Sequence, residues 1–158
     1  ITYLCVINTH KMSVNQNIKI AVDAIVFAYK DKKLFVLLIK QKYGIFKNRW
    51  SFPGGLVLEN EALTEAVHRE LKEEAGFGAN DLIELHKVSM APTFFNANMT
   101  IVIARDLYPE QLEGDEPEPL EVIHWPLAEA DALLAREDFI EARCIAALLL
   151  AQKWLKDQ

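Results

Sequence analysis

Three glutamates in one predicted helix, Glu70, Glu73 and Glu74, have the residue type and spacing that could do chemistry. At about 100° per residue, their side chains fall on the side of the helix that also carries its apolar residues. Carboxylates that share a partly dry surface repel one another and are costly to desolvate. A divalent cation removes both penalties, and oxygen ligands suit Mg²⁺ or Mn²⁺. The pattern therefore favours a metal site over a solvated acidic helix stabilised by i,i+4 ion pairs.

This helix is predicted to run from about Ala62 to Ala75, with Gly76 as its C-terminal stop. Runs of β-branched and apolar residues predict strands around it, at Ile18–Tyr29, Leu34–Ile39, Leu82–Met90, Met99–Ala104 and Leu120–Trp125, with a short strand and a turn at Trp50–Leu58. Two more helices are predicted at Leu127–Leu134 and Phe139–Leu155, the latter with an apolar stripe through Ala142, Ile145, Leu149 and Trp154. Strands mixed with three helices indicate an α/β fold, in which the first two strands form a hairpin.

The length and composition of the chain restrict its class. Its 158 residues suit one domain, which we expect over 18–158, with 1–17 a leader, a tag remnant or a flexible arm. The net charge of −6 disfavours a nucleic-acid partner, because an acidic chain repels phosphate backbones. The chain has no apolar run as long as the roughly 20 residues of a membrane helix. The two isolated cysteines, Cys5 and Cys144, fit a reducing cytoplasm.

The segment that contains the three glutamates resembles the Nudix box, G-x5-E-x7-R-E-U-x-E-E-x-G-U, in which U is a bulky apolar residue. All its fixed positions are filled, by Gly55, Glu61, Arg69, Glu70, Leu71, Glu73, Glu74, Gly76 and Phe77. The resemblance implies an α/β/α Nudix sandwich with a mixed central sheet. It also implies a metal-dependent enzyme that cleaves the diphosphate bond of a nucleoside diphosphate linked to another group.

The same resemblance implies a ligand set for Mg²⁺ or Mn²⁺, consisting of Glu70, Glu73, Glu74 and the backbone carbonyl of Gly54. The resemblance further implies that Arg69 holds the helix carboxylates in position. The glutamate at the position of Glu61 braces the preceding loop to the helix. Arg69 and Glu73 therefore also count among the expected catalytic residues.

A carboxylate outside the ligand set must accept the proton of the attacking water, because a metal-bound glutamate is a poor base. Glu116 and Glu118, in the acidic loop before the last strand, are the two candidates for this base, with Glu116 slightly preferred. The alternative for this loop is a solvated surface segment without a catalytic role.

Residues beyond the box bear on the substrate. Pro92 resembles a proline that marks the ADP-ribose branch of the Nudix family, and the second half of the chain is similar to bacterial hydrolases of ADP compounds. The implied substrates are ADP-ribose, NADH or a diadenosine polyphosphate, cleaved to AMP and a second phosphorylated product. Phe94 and Phe95 are candidates to stack on the base or to belong to the core. Arg49, in a basic stretch, contacts the substrate phosphates or lies in a solvated loop.

Two other functions compete with this interpretation. One is a Nudix hydrolase of a nucleoside triphosphate or nucleotide sugar. The other is an ADP-ribose-sensing regulator of the NrtR type, which the first half of the chain resembles, as in a natural mosaic or an engineered hybrid. The sequence after Trp125 is too short for the winged helix of such regulators, so we favour the enzyme with a small-molecule nucleotide substrate. The longer N-terminal sheet that helps ADP-ribose hydrolases to dimerise is not evident, and a homodimer stays open.

Overall fold

A computed structural model of the chain describes residues 19–30, 33–44, 47–89, 97–114 and 119–158. The predicted arm, 1–17, lies outside these described residues. The strands are β1 (Lys19–Lys30), β2 (Lys33–Lys40), β3 (Trp50–Ser51), β4 (Gly54–Leu56), β5 (Phe77–Ser89), β6 (Ala97–Pro109) and β7 (Glu121–Pro126). The helices are α1 (Leu63–Glu70), which continues into a π-helical turn (Leu71–Ala75), a 3₁₀ turn (Leu127–Glu129), α2 (Ala130–Leu134) and α3 (Ala142–Lys156).

The strands form one mixed sheet with the order β3-β2-β1-β6-β5, to which β4 is added next to β1 and β7 next to β2. Strands β1 and β6 are parallel, and the other pairs are antiparallel. The predicted hairpin of the first two strands is confirmed by the register of β1 and β2, in which Phe27 lies opposite Val36. The position of β4 beside β1 brings the glycine segment before α1 to the middle of the sheet.

Both faces of the sheet are covered, which explains why β1 and β2 read as continuous apolar runs. Alternate residues of these strands point to opposite faces. One face packs against α2 and α3, through a cluster that includes Ile25, Val36, Leu38, Leu133, Cys144 and Leu148. The other packs against α1, through a cluster that includes Val22, Val26, Leu37, Ile39, Ala66 and Val67. The predicted α/β/α sandwich with a mixed sheet is therefore confirmed.

Strands β5 and β6 are longer than their apolar patterns predict. Strand β5 begins at Phe77, directly after the helix stop, instead of at Leu82, and β6 continues to Pro109 instead of ending at Ala104. These extensions pair with each other, so that Phe77 lies opposite Pro109. Backbone hydrogen bonds between two strands do not require apolar side chains, and apolar periodicity therefore missed the ends.

Helix α3 starts at Ala142 instead of Phe139, and its predicted apolar stripe has the wrong phase. Leu149, a member of that stripe, is 49% exposed. The buried face of α3 instead carries small and sulfur-containing residues together with one leucine, namely Cys144, Ala147, Leu148 and Ala151. Small side chains allow the helix to approach the sheet closely, whereas the prediction followed the larger apolar residues. In the part of the chain that the structure describes, no helix has the length and apolarity needed to cross a membrane.

Candidate active site

The three glutamates lie at the C-terminal end of the α1 segment, where the helix changes its geometry. The predicted extent of the helix is confirmed, but its last turn, Leu71–Ala75, is π-helical. Gly76 ends it with φ 75°, a left-handed conformation that glycine adopts without a steric penalty. This π-helical turn carries Glu73 and Glu74. Because it is wider than an α-helical turn, the angle about the helix axis between successive residues is smaller. Single π turns inside helices are frequent at functional sites.

Arg69 is the centre of a hydrogen-bonded ion-pair network. Its guanidinium group donates to both oxygens of Glu61 at 2.8 and 3.1 Å and to the carbonyl oxygen of Leu56 at 2.9 Å. It also donates to Glu70 at 2.8 Å and to Glu73 at 3.2 Å. The hydrogen bonds from Arg69 lower the pKa of Glu61, and those to Glu61 raise the pKa of Arg69. One cation therefore joins the loop before α1 to two carboxylates of the helix.

The Gly54–Gly55 segment lies directly against the other side of these carboxylates. The N–H group of Gly54 donates to Oε2 of Glu74 at 2.7 Å. A Cβ atom on Gly55 would stand 2.3 Å from Oε1 of Glu70, a residue that is only 8% exposed. The absence of a side chain at Gly55 therefore gives the Glu70 carboxylate its place beside the backbone.

The beginning of the acidic loop after β6 docks against the π-helical turn. The N–H group of Leu112 donates to the carbonyl oxygen of Lys72 at 3.1 Å, and the Gln111 side chain donates to the carbonyl oxygen of Glu73 at 2.9 Å. The α-carbon of Gly114 packs against the Glu73 side chain, since a Cβ there would lie 3.2 Å from Cβ of Glu73. The loop therefore departs from a point next to the candidate ligands.

Five predicted site residues lie outside the described residues, namely Glu116 and Glu118 of the acidic loop and Pro92, Phe94 and Phe95. Their predicted roles stay predictions. Arg49 is described, and its side chain donates to the carbonyl oxygen of Glu137. The two residues border a cavity of about 590 Å³ that is also lined by Lys47, Asn48, Arg136 and Asp138. No hydrogen bond or ion pair among the described residues joins Arg49 to the box glutamates, so the structure does not bring it together with them.

Comparison with known proteins decides the family. The model of the NUDIX domain matches residues 18–148, which is most of the chain. The chain belongs to the NUDIX family. It is 52% identical over 123 residues to the ADP compounds hydrolase NudE of Escherichia coli (strain K12), an alignment that covers 78% of this chain and 66% of that protein. The matched part of the chain thus spans just under two thirds of the length of this relative.

Solved structures of NUDIX proteins share the fold. A crystal structure of an ADP compounds hydrolase superimposes with a TM-score of 0.82 at 46% identity, covering 91% of this chain and 76% of that one. The NUDIX domain of Shewanella oneidensis NrtR, solved in complex with ADP ribose, superimposes with a TM-score of 0.68 at 24% identity, covering 93% and 94%. The second likeness concerns the fold alone.

The donor atoms in this NUDIX domain fit a hard divalent cation. Glu70 and Glu74 both contact the Gly54–Gly55 segment, and carboxylate and carbonyl oxygens are the ligands that Mg²⁺ and Mn²⁺ prefer. Within the described residues, no three acidic, His or Cys side chains converge closely enough to form a finished metal cluster. Glu70 and Glu73 point to Arg69, whereas Glu74 points to Gly54. Side-chain rotation would be needed to bring these oxygens to one cation.

The close approach of Gly55 to Glu70 leads to a testable prediction. Gly55→Ala is expected to weaken Mn²⁺ binding about 10-fold, a typical effect of disturbing the support of a ligand. The added methyl group must displace the Glu70 carboxylate, which is the end of a flexible side chain, so the fold should persist. Mn²⁺ titration followed by electron paramagnetic resonance measures the affinity, and thermal unfolding measures stability. Unchanged Mn²⁺ affinity in a folded Gly55→Ala variant would show that the place of Glu70 has no importance for the cation.

Sequence reasoning missed a buried charge cluster behind the site. Asp23 of β1 is 0% exposed and forms an ion pair with Arg143 of α3 at 3.5 Å, and Arg143 also pairs with Glu141 at 2.9 Å. The pKa of Asp23 is raised to about 7, mainly by burial, which Arg143 opposes and to which the charges of Glu141 and Glu70 add. The available signal was a single acidic residue inside an otherwise apolar strand, since aspartate is almost never fully buried without a partner.

Proposed function

We propose that this NUDIX domain hydrolyses the diphosphate bond of an ADP compound, ADP-ribose or a related dinucleotide, with Mg²⁺ or Mn²⁺ as its cofactor. The observation that carries the proposal is the contact of two box glutamates with the Gly54–Gly55 segment while Arg69 holds the helix to the preceding loop. The 52% identity to an ADP compounds hydrolase supports the choice of substrate class.

In this proposal the residues of the box either bind the cation or position the residues that bind it. Glu70, Glu73, Glu74 and the carbonyl group of Gly54 hold the cation. When bound, a divalent cation neutralises the charge of the diphosphate and lowers the pKa of water. Arg69, through its hydrogen bonds to Glu70 and Glu73, keeps these carboxylates from repelling one another before the cation arrives.

The acidic loop supplies the proton acceptor. Glu116 or Glu118 takes a proton from the attacking water, whose oxygen forms a bond to one phosphorus while the bridging P–O bond breaks. The bridging oxygen leaves with the electron pair, so that AMP and a second phosphorylated product form. The docking of Gln111 and Leu112 on the π-helical turn supports this role, because it starts the loop beside Glu73.

A substrate panel tests the proposed function. ADP-ribose or another ADP compound is expected to have a higher kcat/KM than dATP, dGTP, 8-oxo-dGTP or a nucleotide sugar, in Mg²⁺ and in Mn²⁺. Chromatography identifies the products, and AMP must be one of them. The Glu74→Gln variant, purified in the same way, controls for contaminating phosphatases. If a nucleoside triphosphate is the best substrate, the assignment to ADP compounds is wrong.

The proposal also includes the setting of the reaction. We infer a small-molecule nucleotide substrate in the cytoplasm and neither a nucleic-acid nor a membrane partner. The net charge of −6 supports the former exclusion, since such a chain repels a phosphate backbone. Cys144 is a free buried thiol, which suits a reducing compartment. A homodimer is compatible with the proposal but is not required by it.

A further inference from the structure

Asp23 is a buried carboxylate whose charge is incompletely balanced. Neither of its oxygens has a hydrogen-bond donor among the described residues, although Arg143 lies at ion-pair distance. Buried polar groups normally have a partner in the protein, a water molecule or an ion. Leaving a buried carboxylate without hydrogen bonds costs free energy, so its presence here calls for a physical reason.

Around Asp23, acidic side chains outnumber basic ones. Arg143 donates to both oxygens of Glu141, at 2.9 and 3.1 Å, and contacts Asp23 at 3.5 Å. One positive charge therefore serves two carboxylates, and the Glu141 side chain is itself only 9% exposed. When Asp23 is ionised, the cluster of Asp23, Glu141 and Arg143 thus carries one uncompensated negative charge in a place with little solvent screening.

This charge lies directly behind the backbone of the proposed cation site. Asp23 is opposite Gly54 in the pairing of β1 with β4, and a Cβ on Gly54 would stand 2.5 Å from Oδ1 of Asp23. The N–H group of Ala24 donates to the carbonyl oxygen of Pro53, and that of Val57 donates to the carbonyl oxygen of Ile20, both at 2.9 Å. Strand β1 therefore holds the chain on both sides of Gly54. Only Gly54 would separate a cation bound there from the Asp23 carboxylate, and the two opposite charges would attract each other.

Helix α3 fastens the same segment from the other face of the sheet. The N–H group of Phe52 lies 3.5 Å from Sγ of Cys144, whose thiol in turn donates to Glu141 at 3.3 Å. The first turn of α3 therefore contacts both Asp23, through Arg143, and the chain just before Gly54. A shift of this turn would move the cluster and the glycine segment together.

From this arrangement we propose that Asp23 is a positioning residue of the cation site, one that strengthens divalent-cation binding at Gly54, Glu70 and Glu74 through its buried charge, without ligating the ion. Arg143 holds the Asp23 carboxylate in place, and its positive charge lowers the free-energy cost of burying this carboxylate before the cation binds. The inference rests on the proposed function, because it takes the cation site from there.

Asp23→Asn tests this inference because it removes the charge and keeps the shape. The substitution is expected to weaken Mn²⁺ binding about 10-fold or more, as the loss of a supporting partner typically does. Asp23→Ala, which has no amide facing Arg143, should weaken it to a similar degree. Affinity is measured on the full chain at pH 8 by electron paramagnetic resonance and by the Mn²⁺-dependent rise in Tm, without substrate. The matched control is Asp81→Asn, which removes an exposed carboxylate paired with an arginine.

The outcomes separate this inference from the proposed function. Retention of wild-type Mn²⁺ affinity, within twofold, in either folded Asp23 variant would overturn the role of its charge. An equal loss in Asp81→Asn would overturn it as well, because any carboxylate would then have the same effect. Glu74→Gln serves as the positive control: if it too binds Mn²⁺ normally, the cation site itself is misplaced. If Glu74→Gln loses binding and the Asp23 variants do not, the site stands and this inference alone fails.

Discussion

The double variant Glu116→Gln/Glu118→Gln is expected to lower kcat by about 10²–10⁴-fold, the usual effect of losing a general base, with Mn²⁺ affinity almost unchanged. A glutamate bound to a divalent cation has a depressed proton affinity, so a ligand from the box helix would be a poor base. The base must reach the water without coordinating the ion tightly. The acidic loop begins beside Glu73, because Gly114 contacts that side chain. This position supports the proposal that the loop supplies the base.

Single-turnover hydrolysis of ADP-ribose, combined with Mn²⁺ titration, measures both quantities on the two single variants and on the double variant. The single variants should differ from each other, because only one carboxylate can be in line with the water. Glu113→Gln, in the same loop, is the matched control and should keep wild-type turnover. A double variant with kcat within a few-fold of wild type would show that the base is elsewhere and that the loop is a solvated acidic segment.

Glu74→Gln is expected to lower both Mn²⁺ affinity and turnover by at least about 10²-fold, equivalent to the loss of several kcal/mol of electrostatic stabilisation. Its Oε2 accepts a hydrogen bond from the Gly54 N–H group at 2.7 Å, and the amide oxygen of glutamine can accept the same bond. The glycine segment should therefore keep its position while the charge is lost. The variant separates the charge of Glu74 from its structural role.

Mn²⁺ titration, steady-state kinetics and thermal unfolding of Glu74→Gln provide the test. Glu65→Gln is the matched control on the solvated side of the same helix, where the Glu65 carboxylate accepts from the N–H group of Ala62 at 2.9 Å. It should retain metal binding and turnover. Near-wild-type rates in a folded Glu74→Gln variant would contradict the assignment of the cation site to the box.

Local patterns were sufficient to predict the sandwich, the helix of the box and its end at Gly76. Continuous apolar runs indicated strands buried on both faces. The helix ends in a left-handed conformation that glycine adopts most readily. The resemblance to the Nudix box also singled out Glu61 and Arg69, which form a bidentate ion pair in the structure. These features depend on residues close together in the chain, and a sequence records such relations directly.

Other features depend on partners that are distant in the chain, and only the tertiary structure decided them. The ends of β5 and β6 are set by pairing with each other, and the buried face of α3 is set by how closely small residues such as Ala147 approach the sheet. The π-helical turn under Glu73 and Glu74 lies where the acidic loop docks on it.

Asp23 shows the difference most clearly. In the sequence it is one acidic residue in an apolar strand, and the sequence by itself determined only that this strand would be buried. Only the folded chain brings it against Gly54 on one side and Arg143 on the other, from segments far away in the sequence. Electrostatic interactions depend on distance in space and on burial, which no spacing along the chain specifies.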